Sequence, residues 1–207
     1  MRSSVNLCLL GYSGHGIVVA EALQLLGYQG FSYAERKELD RNPFQLDFAG
    51  FEAEKGFPWH RFATFALGIG DNELRATLAE KVMAKSKTLH TILHPQSLIA
   101  EGVEIGAGSF VARGACINPL AIIGEGVIVN TSAVIEHECQ IHDFAHVAPS
   151  ATLAGNVTVK RGAFIGANAV IKQGVSIGKN AIIGAGSVVL NDVPDSATVV
   201  GNPGKSL

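Results

Sequence analysis

Every sixth residue from Ile99 to Val189 is aliphatic, and all of these except Leu153 are β-branched. The residue four places after each, from Val103 to Val193, is small or medium-sized and uncharged. Sixteen such hexads follow one another without an insertion. A period of six fits neither the 3.6-residue helix nor a lone amphipathic strand. It predicts a β-solenoid in which each hexad supplies one short strand and one turn. Three hexads make one triangular coil, so residues eighteen apart stack and sixteen hexads give about five coils. The aliphatic residue points into the prism, and the small residue lets the chain turn the corner.

The first ninety-odd residues follow other rules. Val5 to Leu10 is a short apolar run that predicts a buried strand. Gly11-Tyr12-Ser13-Gly14-His15-Gly16 follows, and Ile17 to Leu26 carries apolar residues at helical spacing, with Gly27 as a stop. Strand, glycine-rich turn and helix open a nucleotide-binding βαβ unit, whose helix N-terminus offers free N–H groups to an anion. The spacing is G-x-x-G-x-G and not the dinucleotide G-x-G-x-x-G, so a purely structural tight turn is an equal reading of the motif alone. Further strands are expected at Gly30 to Tyr33, Phe62 to Gly70 and Leu89 to Leu93. Asp71 is a good N-cap for a helix from Asn72 to about Ala84, and residues 34–61 show no clear pattern. The expected organisation is an α/β Rossmann-like domain over residues 1–90, then an all-β solenoid domain with a C-terminal tail over residues 91–207.

Composition narrows the function. Charged residues are only 16% of the 207, and 24 are glycine, as solenoid corners require. A net charge of -2 argues against a general electrostatic role on nucleic acid or an anionic membrane. The three cysteines are odd in number and form no C-x-x-C pair, which suits a reducing, cytoplasmic setting. The apolar run at the start is too short to span a membrane.

With the solenoid interior committed to packing, chemistry belongs on outward positions, most of which are Gly, Ala, Lys or Asn. One stretch differs. His137, His142 and His146 fall within ten residues, and Glu136 and Glu138 flank His137. Both carboxylates are expected to keep that imidazole basic or to fix its tautomer. Gly155 stacks on His137 eighteen residues later, which should leave open space and an accessible backbone N–H beside the ring. His146 is half a coil from His137, so the two share a site only where one prism meets another, as around a threefold axis. His142 reads as solvated surface. The His137-x4-His142 spacing resembles the zinc ligands of γ-class carbonic anhydrases, but the region Ile99 to Gly108 lacks the third histidine of that family, and no metal is expected.

Together these stretches resemble a family of bacterial N-acetyltransferases acting on nucleotide-linked 4-amino-4,6-dideoxy sugars, with the related sialic acid O-acetyltransferases. The resemblance rests on Gly11 to Gly16, Ile69 to Glu73, Asn130 to Cys139, Ala154 to Val157 and the tail Gly201 to Lys205. It implies that the solenoid is a left-handed parallel β-helix and that the active sites lie between subunits of a homotrimer. It implies acetyl-CoA as co-substrate, with His137 as general base supported by Glu138. Asn130 matches a pocket residue. His146 and the Gly155 amide match groups near the thioester, and Ala167 and Ala185 line the pantetheine groove. Ser13, Gly14 and His15, with Gly70, match the nucleotide-sugar site. One departure is that Tyr33-Ala34 stands where relatives with uridine-linked substrates often carry paired aspartates, with Glu35 beside them. The alternatives are O-acetylation of a sialic acid or related sugar, and a non-catalytic solenoid scaffold.

Overall fold

The computed structural model describes residues 6–207, so Val5 of the first expected strand lies outside the described residues. The N-terminal sheet is wholly parallel, with β1 (Leu7–Leu10) central. On one side lie β2 (Ser32–Ala34) and β3 (Asp47–Phe48), and on the other β4 (Thr64–Leu67) and β5 (Thr88–Leu89). The order β3-β2-β1-β4-β5 places a topological switch point beside β1, the position at whose carboxyl strand ends open α/β sheets bind their ligands. α1 (Gly14–Leu25) begins three residues before the expected start, because the turn glycines Gly14 and Gly16 join the first helical turn. α2 (Asn72–Ala84) is capped as expected: the Asp71 carboxylate accepts the Leu74 N–H at 2.8 Å, an interaction that contributes about 1 kcal/mol. β3 and a single 3-10 turn at Trp59–Arg61 occupy the stretch that showed no pattern.

The expected strand from Leu89 to Leu93 is not one element. Thr88–Leu89 completes the N-terminal sheet, whereas Ile92–Leu93 pairs with Phe110–Val111 and is the first rung of the solenoid. The chain turns between sheets at His90 and Thr91. Apolar periodicity cannot see that turn, because both halves of the run are buried-strand sequence.

From there the chain winds as a left-handed parallel β-helix of two-residue rungs with three faces. The six-stranded face runs from Leu98–Ile99 to Val188–Val189, and the five-stranded face from Glu104–Ile105 to Ser176–Ile177. The eight-stranded face starts at Ile92–Leu93 and ends with a final hairpin, Thr198–Val200 and Lys205–Ser206. The register is eighteen up to Val188–Val189, as in Ile117↔Ile135 and Ile123↔Ile141, and shortens to sixteen at the last steps, Ile183↔Val199 and Ile177↔Val193. The inward columns, among them Ile117, Ile135, Leu153 and Ile171 with Ala115, Ala133, Ala151 and Ala169, form one continuous core. A two-residue rung cannot persist alone. It is held by ladder bonds above and below and by burial of its aliphatic side chain, which stabilises by about 1.5–3 kcal/mol.

The corners add a second period of six. Residues 102, 108, 114 and onward to 186 all have φ between 52° and 80°. Glycine or asparagine fills most of them, as this left-handed region favours. The exceptions, Leu120, Ser132, Glu138, Phe144 and Ser150, cluster in the middle coils.

The N-terminal domain seats on the eight-stranded face. Phe110 and Ile128 point outward from the solenoid, are 2% and 1% exposed, and pack with Tyr12, Val19 and Leu23. These two outward positions depart from the Gly, Ala, Lys and Asn expected at most others. Among the described residues, no helix is long and apolar enough to cross a membrane.

Candidate active site

His137 lies two residues past the inward Ile135, at the corner between the six- and five-stranded faces. Its Nδ1 meets Glu138 Oε2 at 3.0 Å, and both side chains are about half exposed, at 52% and 56%. Glu138 holds φ of 61°, a conformation costly for a side chain of its type, and from it the carboxylate reaches back to the preceding ring. With Nδ1 engaged by the carboxylate, Nε2 is left to face a substrate. Glu136 is expected to share this duty, but among the described residues Glu138 alone hydrogen-bonds the imidazole.

Gly155 stacks on His137 as the eighteen-residue register requires, and Asn156 N–H donates to the His137 carbonyl at 2.8 Å. The open space expected above the glycine is filled by the imidazole. A Cβ at Gly155 would lie 2.5 Å from His137 Cε1 and 2.6 Å from Nε2. The glycine is there so that the ring can lie on the backbone. Its N–H has no acceptor among the described residues.

A second group gathers half a coil away. His146 leaves the eight-stranded face outward, pairs in register with Ile128 and Phe164, and is 8% exposed. Asn130 Nδ2 lies 3.1 Å from His146 Nε2, and the Phe164 ring meets the imidazole edge-on at 5.1 Å. His15 comes from the N-terminal domain, with ring centroids 6.4 Å apart. Burial first, then the charge of Arg75, pushes His146 down to about 4. Burial, His146 and Arg75 push His15 down to about 3. Both imidazoles are neutral at pH 7, and His15 Nε2 and His146 Nδ1 are buried without a hydrogen-bond partner among the described residues. Asn130, His15 and His146 thus converge from three sequence regions, which the sequence did not foretell within one chain.

The glycine turn beneath this group separates into two roles. Gly11 has φ of 85°, and a Cβ on Gly16 or Gly68 would strike the Gly11 backbone, so these three are demanded by the fold. At Gly14 a Cβ would meet nothing within 4 Å, so no packing reason explains that glycine. Ser13 and Gly14 are exposed at the start of α1, the Ser13 side chain makes no cap bond, and Gly70 lies opposite with its carbonyl held by Arg75 at 3.0 Å. Glu35, beside the missing aspartate pair, accepts the Tyr12 N–H at 3.2 Å through one oxygen and the Arg36 N–H at 3.2 Å through the other. It braces the glycine turn.

Ala167 and Ala185 stack at the corner that follows the eight-stranded face, joined by Gly186 N–H to the Ala167 carbonyl at 2.8 Å. They share that side of the prism with Asn130 and His146, away from His137, Glu138 and Gly155. The candidate residues therefore form two half-sites on one chain. His142 is exposed at the next corner, and no cluster of three or more His, Cys, Asp or Glu side chains converges among the described residues.

Comparison with known proteins gives this arrangement its context. The PglD N-terminal domain model matches residues 6–82, and the bacterial transferase hexapeptide model matches residues 156–191. The chain is similar to the acetyltransferase domain of PglB from Neisseria gonorrhoeae, with 31% identity, a TM-score of 0.91, and 97% of this chain and 98% of that one covered. That domain has also been solved in complex with acetyl coenzyme A. It is similar to perosamine N-acetyltransferase from Caulobacter crescentus, solved as a histidine-to-asparagine variant with CoA and GDP-perosamine, at 32% identity and a TM-score of 0.88, covering 97% of this chain and 96% of that one. WeeI from Acinetobacter baumannii matches at 25% identity and a TM-score of 0.80, over 97% of this chain and 99% of that one.

Proposed function

We propose a reaction from one premise: the chain belongs to the hexapeptide-repeat sugar acetyltransferases, with acetyl-CoA as the acyl donor. In this reading the chain moves the acetyl group to the C4 amine of a nucleotide-linked 4-amino-4,6-dideoxy sugar used in bacterial glycan synthesis. Residues 1–90 hold the nucleotide sugar through Ser13, Gly14, His15 and Gly70, and residues 91–207 hold acetyl-CoA along the corner of Ala167 and Ala185.

The observation that carries the reading is His137, braced through Nδ1 by Glu138 and lying flat on Gly155. The sugar amine attacks the thioester carbonyl, and His137 Nε2 takes the proton released as the C–N bond forms. As the tetrahedral intermediate collapses, the C–S bond breaks and the proton passes to the CoA thiolate. Such positioned proton transfer contributes about 10²–10⁴-fold. The Gly155 N–H, lacking a backbone acceptor, suits the developing oxyanion. Asn130 and His146 orient the acceptor and the acetyl group.

The two half-sites lie on different sides of one prism, so the reading requires a homotrimer in which each interface joins His137 of one copy to His146 of the next. A mixing experiment tests it. His137→Ala and His146→Ala proteins, each strongly impaired alone, are unfolded together and refolded as a mixture. Recovered CoA release with a nucleotide-4-amino sugar supports shared sites. No recovery, with trimers formed, sinks them. Release of CoA with hydroxyl acceptors only, across a panel of both classes, would replace N-acetylation by O-acetylation.

A further inference from the structure

Arg75 on α2 is 1% exposed and is the largest fully buried side chain among the described residues. Its partners are all uncharged. Nε donates to the Gly126 carbonyl at 2.7 Å, and Nη1 donates to the carbonyls of Ile69 and Gly70 at 3.2 and 3.0 Å. Nη2 donates to Asn72 Oδ1 and the Phe144 carbonyl at 2.8 Å each, and to the Ala145 carbonyl at 3.3 Å. Asp71 acts on it through its charge without touching a donor. Burying a cation with no carboxylate on its donors is expensive, and the planar fork recovers the cost only by filling every donor.

The two ends of that fork matter. On the N-terminal side it holds Gly70, where a Cβ would lie 3.8 Å from the Cβ of His15. On the solenoid side it holds Ala145, the residue before His146. Asn72, oriented by the same guanidinium, donates to the carbonyls of Gly162 and Ala163 on the next coil.

We propose that Arg75 is a positioning residue for acetyl transfer: by clamping Gly70 and Ala145 in one frame it sets the nucleotide-sugar domain on the solenoid so that His15 and His146 face the same acceptor group. The proposal rests on the acetyl-transfer reading above. Its second consequence is electrostatic. Asp71, Arg75 and the two imidazoles are the charged or titratable groups that act here, the Asp71 carboxylate favouring the charged guanidinium. The surrounding Phe110, Phe164 and Asn130 do not titrate. The fixed cation opposes protonation of both rings and so keeps each neutral, and with Asn130 Nδ2 donating to His146 Nε2 the His146 proton sits on Nδ1.

The test compares Arg75→Lys, which keeps the charge and loses the fork, with Arg75→Met, which loses both. In each, kcat falls and KM for the nucleotide sugar rises, lowering kcat/KM by about a hundredfold, the effect expected of a misplacement near 1 Å. KM for acetyl-CoA, most of which lies along the solenoid corner, changes by less than about threefold. In Arg75→Met, ring resonances of His15 and His146 followed by NMR titrate at higher pH than in the wild type. Reduced thermal stability with both Michaelis constants and both imidazole titrations unchanged means a structural tie only, and overturns the proposal. Should Arg75→Met fail to fold, the Arg75→Lys constants decide alone. If the wild type turns over no acceptor, the acetyl-transfer reading has failed instead, and the NMR titration, which needs no substrate, still decides whether Arg75 governs the two rings.

Discussion

The imidazole of His137 lies on the backbone of Gly155 so closely that a single methyl group at the glycine would sit 2.5 Å from the ring. The φ of Gly155 is not in the left-handed region, so alanine strains no backbone there. The ring itself must leave, and at 52% exposure it can swing into solvent. Gly155→Ala therefore costs less than about 1 kcal/mol in urea unfolding while kcat drops by about a hundredfold or more. A variant that keeps its turnover removes the stacked geometry from the mechanism.

Replacing the base gives a larger, cleaner loss. His137→Ala lowers kcat by about 10²–10⁴-fold with KM for both substrates little changed, because proton removal is made only in the transition state. Steady-state kinetics with a nucleotide-4-amino sugar reads it directly, and near-wild-type turnover would end the assignment.

Glu138 separates stability from activity. Its φ of 61° is a conformation that asparagine tolerates better, and Asn156 and Asn168 occupy the equivalent corner position. Glu138→Asn should therefore stabilise the fold by up to about 1 kcal/mol and still lower kcat, since the carboxylate that fixes the His137 tautomer is gone. Chemical unfolding and kinetics on one sample check both signs.

Acid should weaken the interface between the two domains before it weakens the solenoid. His15 and His146 are pushed down to about 3 and about 4 in the fold, against 6.5 when exposed. With folded values below unfolded ones, the unfolded chain binds more protons across this window. The stability is complete above pH 6.5 and is lost progressively as pH falls towards 4 and 3. Each ring accounts for about 2 kcal/mol by pH 5. Unfolding midpoints measured from pH 7.5 to 5 should fall, and His146→Phe should fall less steeply. Equal slopes would refute the buried neutral state of His146.

The turn glycines should divide by function. Gly16→Ala drives a Cβ into the Gly11 backbone and costs about 1–3 kcal/mol or more. Gly14→Ala meets nothing within 4 Å, leaves thermal stability unchanged, and weakens nucleotide-sugar binding measured by calorimetry. Unaltered affinity in Gly14→Ala would remove that glycine from the site.

The solenoid was legible because its signal is local and repeated. An inward aliphatic, a small corner residue and a left-handed corner recur every six residues, and each coil faces the same packing problem as the last. The stacking of Gly155 on His137 followed by counting eighteen. The corner exceptions Glu138 and Phe144, which break the glycine and asparagine habit, were a signal present in the sequence and passed over, as were the outward aromatic and aliphatic positions Phe110 and Ile128. Both mark places where something other than the coil sets the residue: the bond from the Glu138 carboxylate to His137 in one case, the docked domain in the others.

The docking itself had no such mark. Arg75 meets carbonyls of Gly126, Phe144 and Ala145, and every residue owns a carbonyl, so no residue type announces that contact. The pairing of His15 with His146, and the neutrality that burial and Arg75 impose on them, depend on how two domains far apart along the chain are seated. Periodicity reports which face of an element is buried. It carries no information on what buries it, and that was decided by the packing of one domain on the other.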